Sequence, residues 1–293
     1  MEARMGGKIL AVSDLIRLPK QYGTMLLLMP TLWSLFAAGN GSPPVRLVII
    51  FIAGSFLMRS AGCAINDIAD RDIDRFVERT KERPLASGRL KTKEAMIIFG
   101  ILIILSLLLV MMLNPLTILL SPFAILLAVI YPYTKRYIHT PQAILGIAFG
   151  WGAIMAWTAV RNSVGLPPFV ILAANIFWAT SYDTIYAVMD REDDMRVGVK
   201  STAILFGSYT WIALAVLFLL FILTLMILGL ILRLGALFFS SLIIAAIPLI
   251  RQVIAIREGI GREKAFSLFK AHARIGAIIL AGIILDTNLG YRR

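Results

Sequence analysis

Polar segments break this chain into apolar runs of about 17–22 residues, the length of a helix that crosses the hydrocarbon core of a bilayer. Residues 102–113 with their flanks and residues 211–232 are the plainest cases. Of 293 residues, 59% are hydrophobic and only 16% charged, whereas roughly a quarter of a soluble domain is charged. The mean hydropathy of +0.85 agrees. Spans are predicted at 23–39, 45–65, 95–113, 116–132, 141–160, 166–188, 209–231, 234–250 and 272–288. The expected fold is an all-α integral membrane protein with nine transmembrane helices, a single domain over residues 1–293.

The segments between spans alternate in character. Residues 39–44, Asn114-Pro115, 161–165 and Arg233 make short turns, while 66–94, 133–140, 189–208 and 251–271 are long and charged. Of the 29 Lys and Arg residues, the N-terminal segment and the four long loops hold 22. That asymmetry marks one side as cytoplasmic, with the N-terminus inside and the C-terminus outside. It also accounts for the net charge of +12 without nucleic acid as a partner. Met1–Lys20 lacks the short apolar core and small-residue site of a cleavable signal. One cysteine, Cys63, and two histidines, His139 and His272, exclude a disulfide framework and a cysteine or histidine metal cluster. Cys63, His139 and His272 read as packing residues, and the glycines of Ala61-Gly62-Cys63-Ala64 and Gly146 to Gly150 as close helix contacts.

Two spans end in carboxylates. The second runs from Arg59 through Cys63, Asn66 and Asp67 to Asp70 and Asp74, and helical spacing puts Arg59, Cys63, Asn66, Asp70 and Asp74 on one face. The sixth ends with Asp183, Tyr186, Asp190 and Asp194 on one face. Asn66, Asp70 and Asp74 stand 120 residues before Tyr186, Asp190 and Asp194, which suggests an internal repeat of about four helices, roughly 20–140 and 141–260. Carboxylates four apart on a helix repel one another, and next to a bilayer the cost rises. Mg²⁺ removes that repulsion, and it prefers one or two carboxylates together with phosphate and water. Two facing clusters therefore suit Mg²⁺ on either side of a diphosphate, more so than a merely solvated helix end.

Cations flank both clusters. Arg79, Arg83 and Lys200 lie just beyond them, and Lys135 follows Tyr131 at the end of the fourth span. These four are candidates for the diphosphate. Arg59 lies two turns inside a span, where a charge needs a partner or a task, here to orient an aromatic carboxylate or the diphosphate.

These residues resemble the UbiA superfamily of membrane prenyltransferases, in particular its 4-hydroxybenzoate polyprenyltransferases. The resemblance covers nearly the whole chain. It rests on Leu26 to Trp33, Leu57 to Asp67, Arg79 to Gly88, Tyr182 to Asp190 and Gly198 to Gly207. It departs at Phe269 to Gly276, where that branch often carries an Asn-rich stretch, and at Gln21-Tyr22-Gly23 in place of Pro-Ile-Gly. The resemblance implies nine helices around a central cavity that opens sideways to lipid. It implies Mg²⁺ ligands among Asn66, Asp67, Asp70, Asp74, Asp190 and Asp194, with the five aspartates catalytic. Arg59, Tyr131, Asp183 and Tyr186 are then expected at the aromatic substrate.

The expected reaction is Mg²⁺-dependent transfer of a polyprenyl chain from its diphosphate to the ring carbon ortho to the hydroxyl of 4-hydroxybenzoate, as in ubiquinone synthesis. Asp67, Asp183 and released diphosphate are the candidates for the ring proton. The expected location is the cytoplasmic (inner) membrane, with the site facing the cytoplasm. A naphthoate, homogentisate or glycerol ether is the alternative acceptor, and a cation carrier with an Asp-lined site the alternative outside enzymes.

Overall fold

A computed structural model describes residues 2–289, and among them there is no strand. The helices are α1 (Glu2–Leu15), α2 (Tyr22–Ala38), α3 (Val45–Asp70), α4 (Thr92–Val110), α5 (Pro115–Tyr137) and α6 (Pro141–Arg161). They are followed by α7 (Leu166–Val188), α8 (Arg191–Val197), α9 (Thr202–Phe206), α10 (Thr210–Leu232), α11 (Ala236–Glu258) and α12 (Arg262–Leu289). The expected outward C-terminus, with Arg292 and Arg293, lies outside the described residues.

Among the described residues, seven helices are long and apolar enough to cross a membrane: α3, α4, α5, α6, the stretch through α9 and α10, α11 and α12. The expected first span, α2, has 17 residues. The expected sixth, α7, is long enough, but Asn175, Thr180, Ser181, Tyr182 and Thr184 on its buried side dilute its apolar character.

Several helices outrun their apolar stretches. α3 continues past 65 to Asp70, α5 past 132 to Tyr137, and α12 begins at Arg262 rather than near 272. An apolar run marks where lipid is, whereas helix hydrogen bonding persists into water until a cap or a proline ends it. The ends are set locally. Asn114 caps α5 by accepting from Thr117 N at 2.9 Å with Pro115 behind it, and α8 stops at Gly198, whose φ of 73° suits glycine.

Residues on the outer faces are apolar, as a lipid-solvated surface requires. Ile97, Ile101, Ile104 and Leu108 of α4 are exposed at helical spacing, as are Ile243, Ile247, Ile250 and Ile254 of α11. Inside, α2 packs on α6, α7 and α12, and α7 packs on α6 and α10. Trp33, Trp178 and Phe221 cluster at their meeting point, with Trp178 stacked on Phe221 and Trp33 tilted against Trp178 at a centroid distance of 5.1 Å. Trp178 Nε1 donates to His272 Nδ1 at 2.8 Å. An indole can only donate, so the proton of His272 sits on Nε2 and is given to Gln252 Oε1 at 2.9 Å. His272 is thus a packing residue, as expected, whereas His139, read the same way from sequence, is exposed.

The glycines divide into two kinds. At Gly146 an added Cβ would come within 2.7 Å of Ile176 Cα, and at Gly276 within 2.5 Å of Met29, so both serve close helix approach. Gly62 does not, because a Cβ there would meet nothing within 4 Å. The expected packing role for Gly62 is overturned.

Candidate active site

α3 and α7 end beside each other, and their last turns form the walls of a polar basin of about 160 Å³. Asn66, Asp70 and Asp74 line it from the first side, and Asp183, Tyr186, Asp190 and Asp194 from the second. Arg79, Arg83, Tyr131, Lys135 and Lys200 complete the lining. The single helical face expected for each cluster needs correction. α3 stops at Asp70, and Asp74 begins a 3₁₀ turn, Asp74–Phe76. α7 stops at Val188, Asp190 stands at the N-cap position of α8 without a side-chain capping bond, and Asp194 lies within α8. The chain turns after each apolar helix and brings its last carboxylates back over the basin.

Every cation expected near diphosphate is tied to this region. Arg79 crosses from the loop after α3 to Asp190, with Nε 2.8 Å from Oδ2 and 3.0 Å from Oδ1, and its Nη1 donates to Tyr186 Oη at 2.7 Å. Arg83 Nη1 bridges Asp74 at 2.9 Å and Asp67 at 3.2 Å. Lys135 pairs with the buried Asp70. Lys200 is tied to the end of α5 through its backbone N–H on Lys135 O at 3.0 Å and its ammonium on Tyr137 O at 2.9 Å. Asp67 also accepts from Arg17 Nη2 at 2.6 Å and lines the chamber below rather than the basin. Arg17 stands out in the sequence only by its positive charge, since a partner 50 residues away leaves no local pattern.

Among the described residues no three carboxylate, His or Cys side chains converge as a metal site. The donors nevertheless suit Mg²⁺. They are hard oxygens, and two of them, Asp70 Oδ1 and Asp67 Oδ2, are buried without a hydrogen-bond partner, an arrangement that costs stability unless something binds there. Asp194 makes no ion pair among the described residues, and burial together with the charge of Asp190 pushes its carboxyl up to about 7. A dication would relieve that repulsion.

Beneath the basin opens a chamber of about 840 Å³ that shares Asn66, Arg79, Arg83, Tyr131, Asp183, Tyr186 and Asp190 with it. Its deeper walls are apolar, with Phe51, Leu107, Val110, Leu113, Ile125 and Met155 among them. Arg59 lines it, its guanidinium 5.6 Å from the Phe149 ring centroid. Among the described residues Arg59 has no ion-pair partner. Its seat is Gly23, where a Cβ would come within 2.7 Å of the guanidinium. In the sequence Gly23 is marked only as part of a departure from a family pattern, and its use appears only when α2 and α3 are packed together. Tyr22, Tyr186, Phe266 and Phe269 form an aromatic wall at the chamber's upper end, with Tyr186 and Phe269 centroids 4.7 Å apart.

A helical membrane protein whose apolar chamber ends in a cation- and carboxylate-lined basin is built for an amphiphile with an anionic head. Residues 27–273 match the UbiA prenyltransferase family, and the chain belongs to that family; it is a prenyltransferase. It is 48% identical to the 4-hydroxybenzoate octaprenyltransferase of Psychromonas ingrahamii, over 94% of this chain and 96% of that one. It is 45% identical to that of Polynucleobacter asymbioticus, with the same coverage. Among solved structures, the apo form of a UbiA homolog from Aeropyrum pernix K1 superposes with a TM-score of 0.76 at 28% identity, over 89% of this chain and 97% of that one. A UbiA homolog from Archaeoglobus fulgidus bound to GPP and Mg²⁺ shares the fold, with a TM-score of 0.66 at 18% identity over 95% of this chain and 99% of that one.

Proposed function

We propose that this protein transfers a polyprenyl chain from its diphosphate to the carbon ortho to the hydroxyl of 4-hydroxybenzoate, with Mg²⁺ as cofactor. The relatives named for that reaction support the acceptor. The observation that carries it is Arg59, a cation without an ion-pair partner among the described residues, set in the chamber wall below the two carboxylate ends. In this reading α2 and α7 complete nine spans, the N-terminus is cytoplasmic, and the basin faces the cytoplasm of the inner membrane. The positive charge of the long loops supports that orientation.

Asn66, Asp70 and Asp74 on one wall and Asp190 and Asp194 on the other would hold the metal, with Asp67 behind the first. Bound there, Mg²⁺ would offset the charge of the departing diphosphate. Arg79, Arg83, Lys135 and Lys200 exchange their present partners for phosphate oxygens and stabilise the same leaving group. As the allylic C–O bond loosens, the apolar chamber keeps water from the developing cation. Arg59 fixes the acceptor through its carboxylate, so that the ring carbon beside the hydroxyl faces that cation. Tyr131 and Tyr186 border the ring. Asp67 is held by Arg17 and Arg83, whereas Asp183 lines both cavities and makes no ion pair among the described residues. Asp183 is therefore the base for the ring proton.

The test compares 4-hydroxybenzoate with its methyl ester at saturating prenyl diphosphate. A charge-assisted contact contributes about 1.5–3 kcal/mol, so the ester should be at least about ten-fold poorer in kcat/KM. Equal rates would remove the acid from the assignment and leave prenyl transfer to a neutral acceptor.

A further inference from the structure

Part of the chamber wall contributed by α3 is a stripe four residues apart: Ile50, Gly54, Met58, Gly62 and Asn66. It runs from the basin, at Asn66, to the chamber's far end, where Ile50 and Phe51 are buried. Glycine inside a helix weakens it, and in membrane helices the usual compensation is close approach of a neighbour. Gly146, Gly150 and Gly276 have that compensation, since each would press a Cβ within 2.7 Å of another helix. Gly54 and Gly62 lack it, because a Cβ on either meets nothing within 4 Å. Their missing side chains are open chamber.

We propose that Gly54 determines the length of prenyl tail that the chamber admits. The inference rests on the prenyl-transfer reading above. At a rise of 1.5 Å per residue, Gly62 lies about 6 Å and Gly54 about 18 Å below Asn66 along α3. A tail hanging from a diphosphate in the basin passes Gly62 at once, whatever its length. Only a tail of several isoprene units reaches Gly54. A side chain at 62 therefore obstructs every donor, and one at 54 obstructs long donors alone.

The experiment measures kcat/KM for a two-unit and an eight-unit prenyl diphosphate in purified wild type, Gly54→Phe, Gly54→Ala and Gly100→Phe. Gly100 also meets nothing within 4 Å but does not line the chamber, so it controls for bulk added elsewhere. Gly54→Phe should lower the eight-unit value at least about ten-fold relative to the two-unit value. Gly54→Ala and Gly100→Phe should leave the ratio of the two donors unchanged. An unaltered ratio in Gly54→Phe, including a parallel loss with both donors, overturns the proposal. Should that variant not purify as a monodisperse protein, Gly54→Val takes its place: a lowered ratio supports the proposal and an unaltered one overturns it. A wild type that transfers neither tail would instead sink the prenyl-transfer reading itself.

Discussion

Arg79 reaches from the loop after α3 and grips Asp190 at the end of α7, with Nε 2.8 Å from one carboxylate oxygen and 3.0 Å from the other. The two carboxylate ends are joined by this bridge, while Arg83 on Asp74 and Lys135 on Asp70 pair cations with the first end alone. Without ligands Asp70, Asp74 and Asp190 are each paired with a cation, whereas Asp183 and Asp194 make no ion pair among the described residues. Metal bound by Asp70, Asp74 or Asp190 competes with a paired cation, and diphosphate draws the same cations away. Each makes room for the other.

Binding should therefore be strongly synergistic. Diphosphate is expected to tighten Mn²⁺ binding, used as a spectroscopic stand-in for Mg²⁺, by about ten-fold or more, a coupling of about 1.4 kcal/mol. Titrations followed by electron paramagnetic resonance, with and without diphosphate, measure it. Equal affinities in the two titrations would mean that the cations do not exchange partners.

Asp70→Ala and Asp190→Ala should each cut turnover by at least about 100-fold while the protein stays inserted and monodisperse, because each removes an oxygen donor from a different wall. Product formation at saturating Mg²⁺ is the readout. Near-normal activity in either variant contradicts the two-walled site.

Asp194 supplies a pH dependence. Its carboxyl, raised to about 7 by burial and by Asp190, is protonated below that pH, and a metal ligand has to be deprotonated. The Mg²⁺ concentration for half-maximal rate should thus fall as pH rises from about 6 to 8, and Asp194→Asn should flatten that dependence. A wild-type Mg²⁺ requirement that is constant across this window would exclude Asp194 from the metal.

Arg59→Lys keeps the charge but loses the planar fork that matches a carboxylate. KM for the aromatic acid should rise about ten-fold or more, with KM for the prenyl diphosphate little changed. Gly23→Ala should act in the same direction, because the added methyl would come within 2.7 Å of the guanidinium. Unchanged kinetics in both variants would leave Arg59 a structural residue.

Much of this site was legible in sequence because its chemistry is local. Four-residue spacing of Asn66, Asp70 and Asp74, and of Tyr186, Asp190 and Asp194, predicted two carboxylate groups that the fold brings to one basin. The same spacing misled about geometry, since Asp74 and Asp194 lie past the ends of their helices. A turn one residue beyond a helix leaves no periodic trace. Arg17, Gly23 and the open face of Gly54 and Gly62 were not legible as parts of a site, because each depends on what another helix places, or fails to place, beside it. Hydropathy marks the spans, but α2 is short at 17 residues, and α7 gives up apolar residues to polar ones on its buried side.

The most direct test supplies the purified protein with an eight-unit prenyl diphosphate, 4-hydroxybenzoate and Mg²⁺, and weighs the product. The expected result is a ring-prenylated hydroxybenzoate that retains its carboxylate and phenol, one diphosphate released per product, and no reaction when chelator removes the metal. Product formed equally well with chelator present, or diphosphate released without any carbon–carbon bond to the ring, would contradict Mg²⁺-dependent prenyl transfer to the ring.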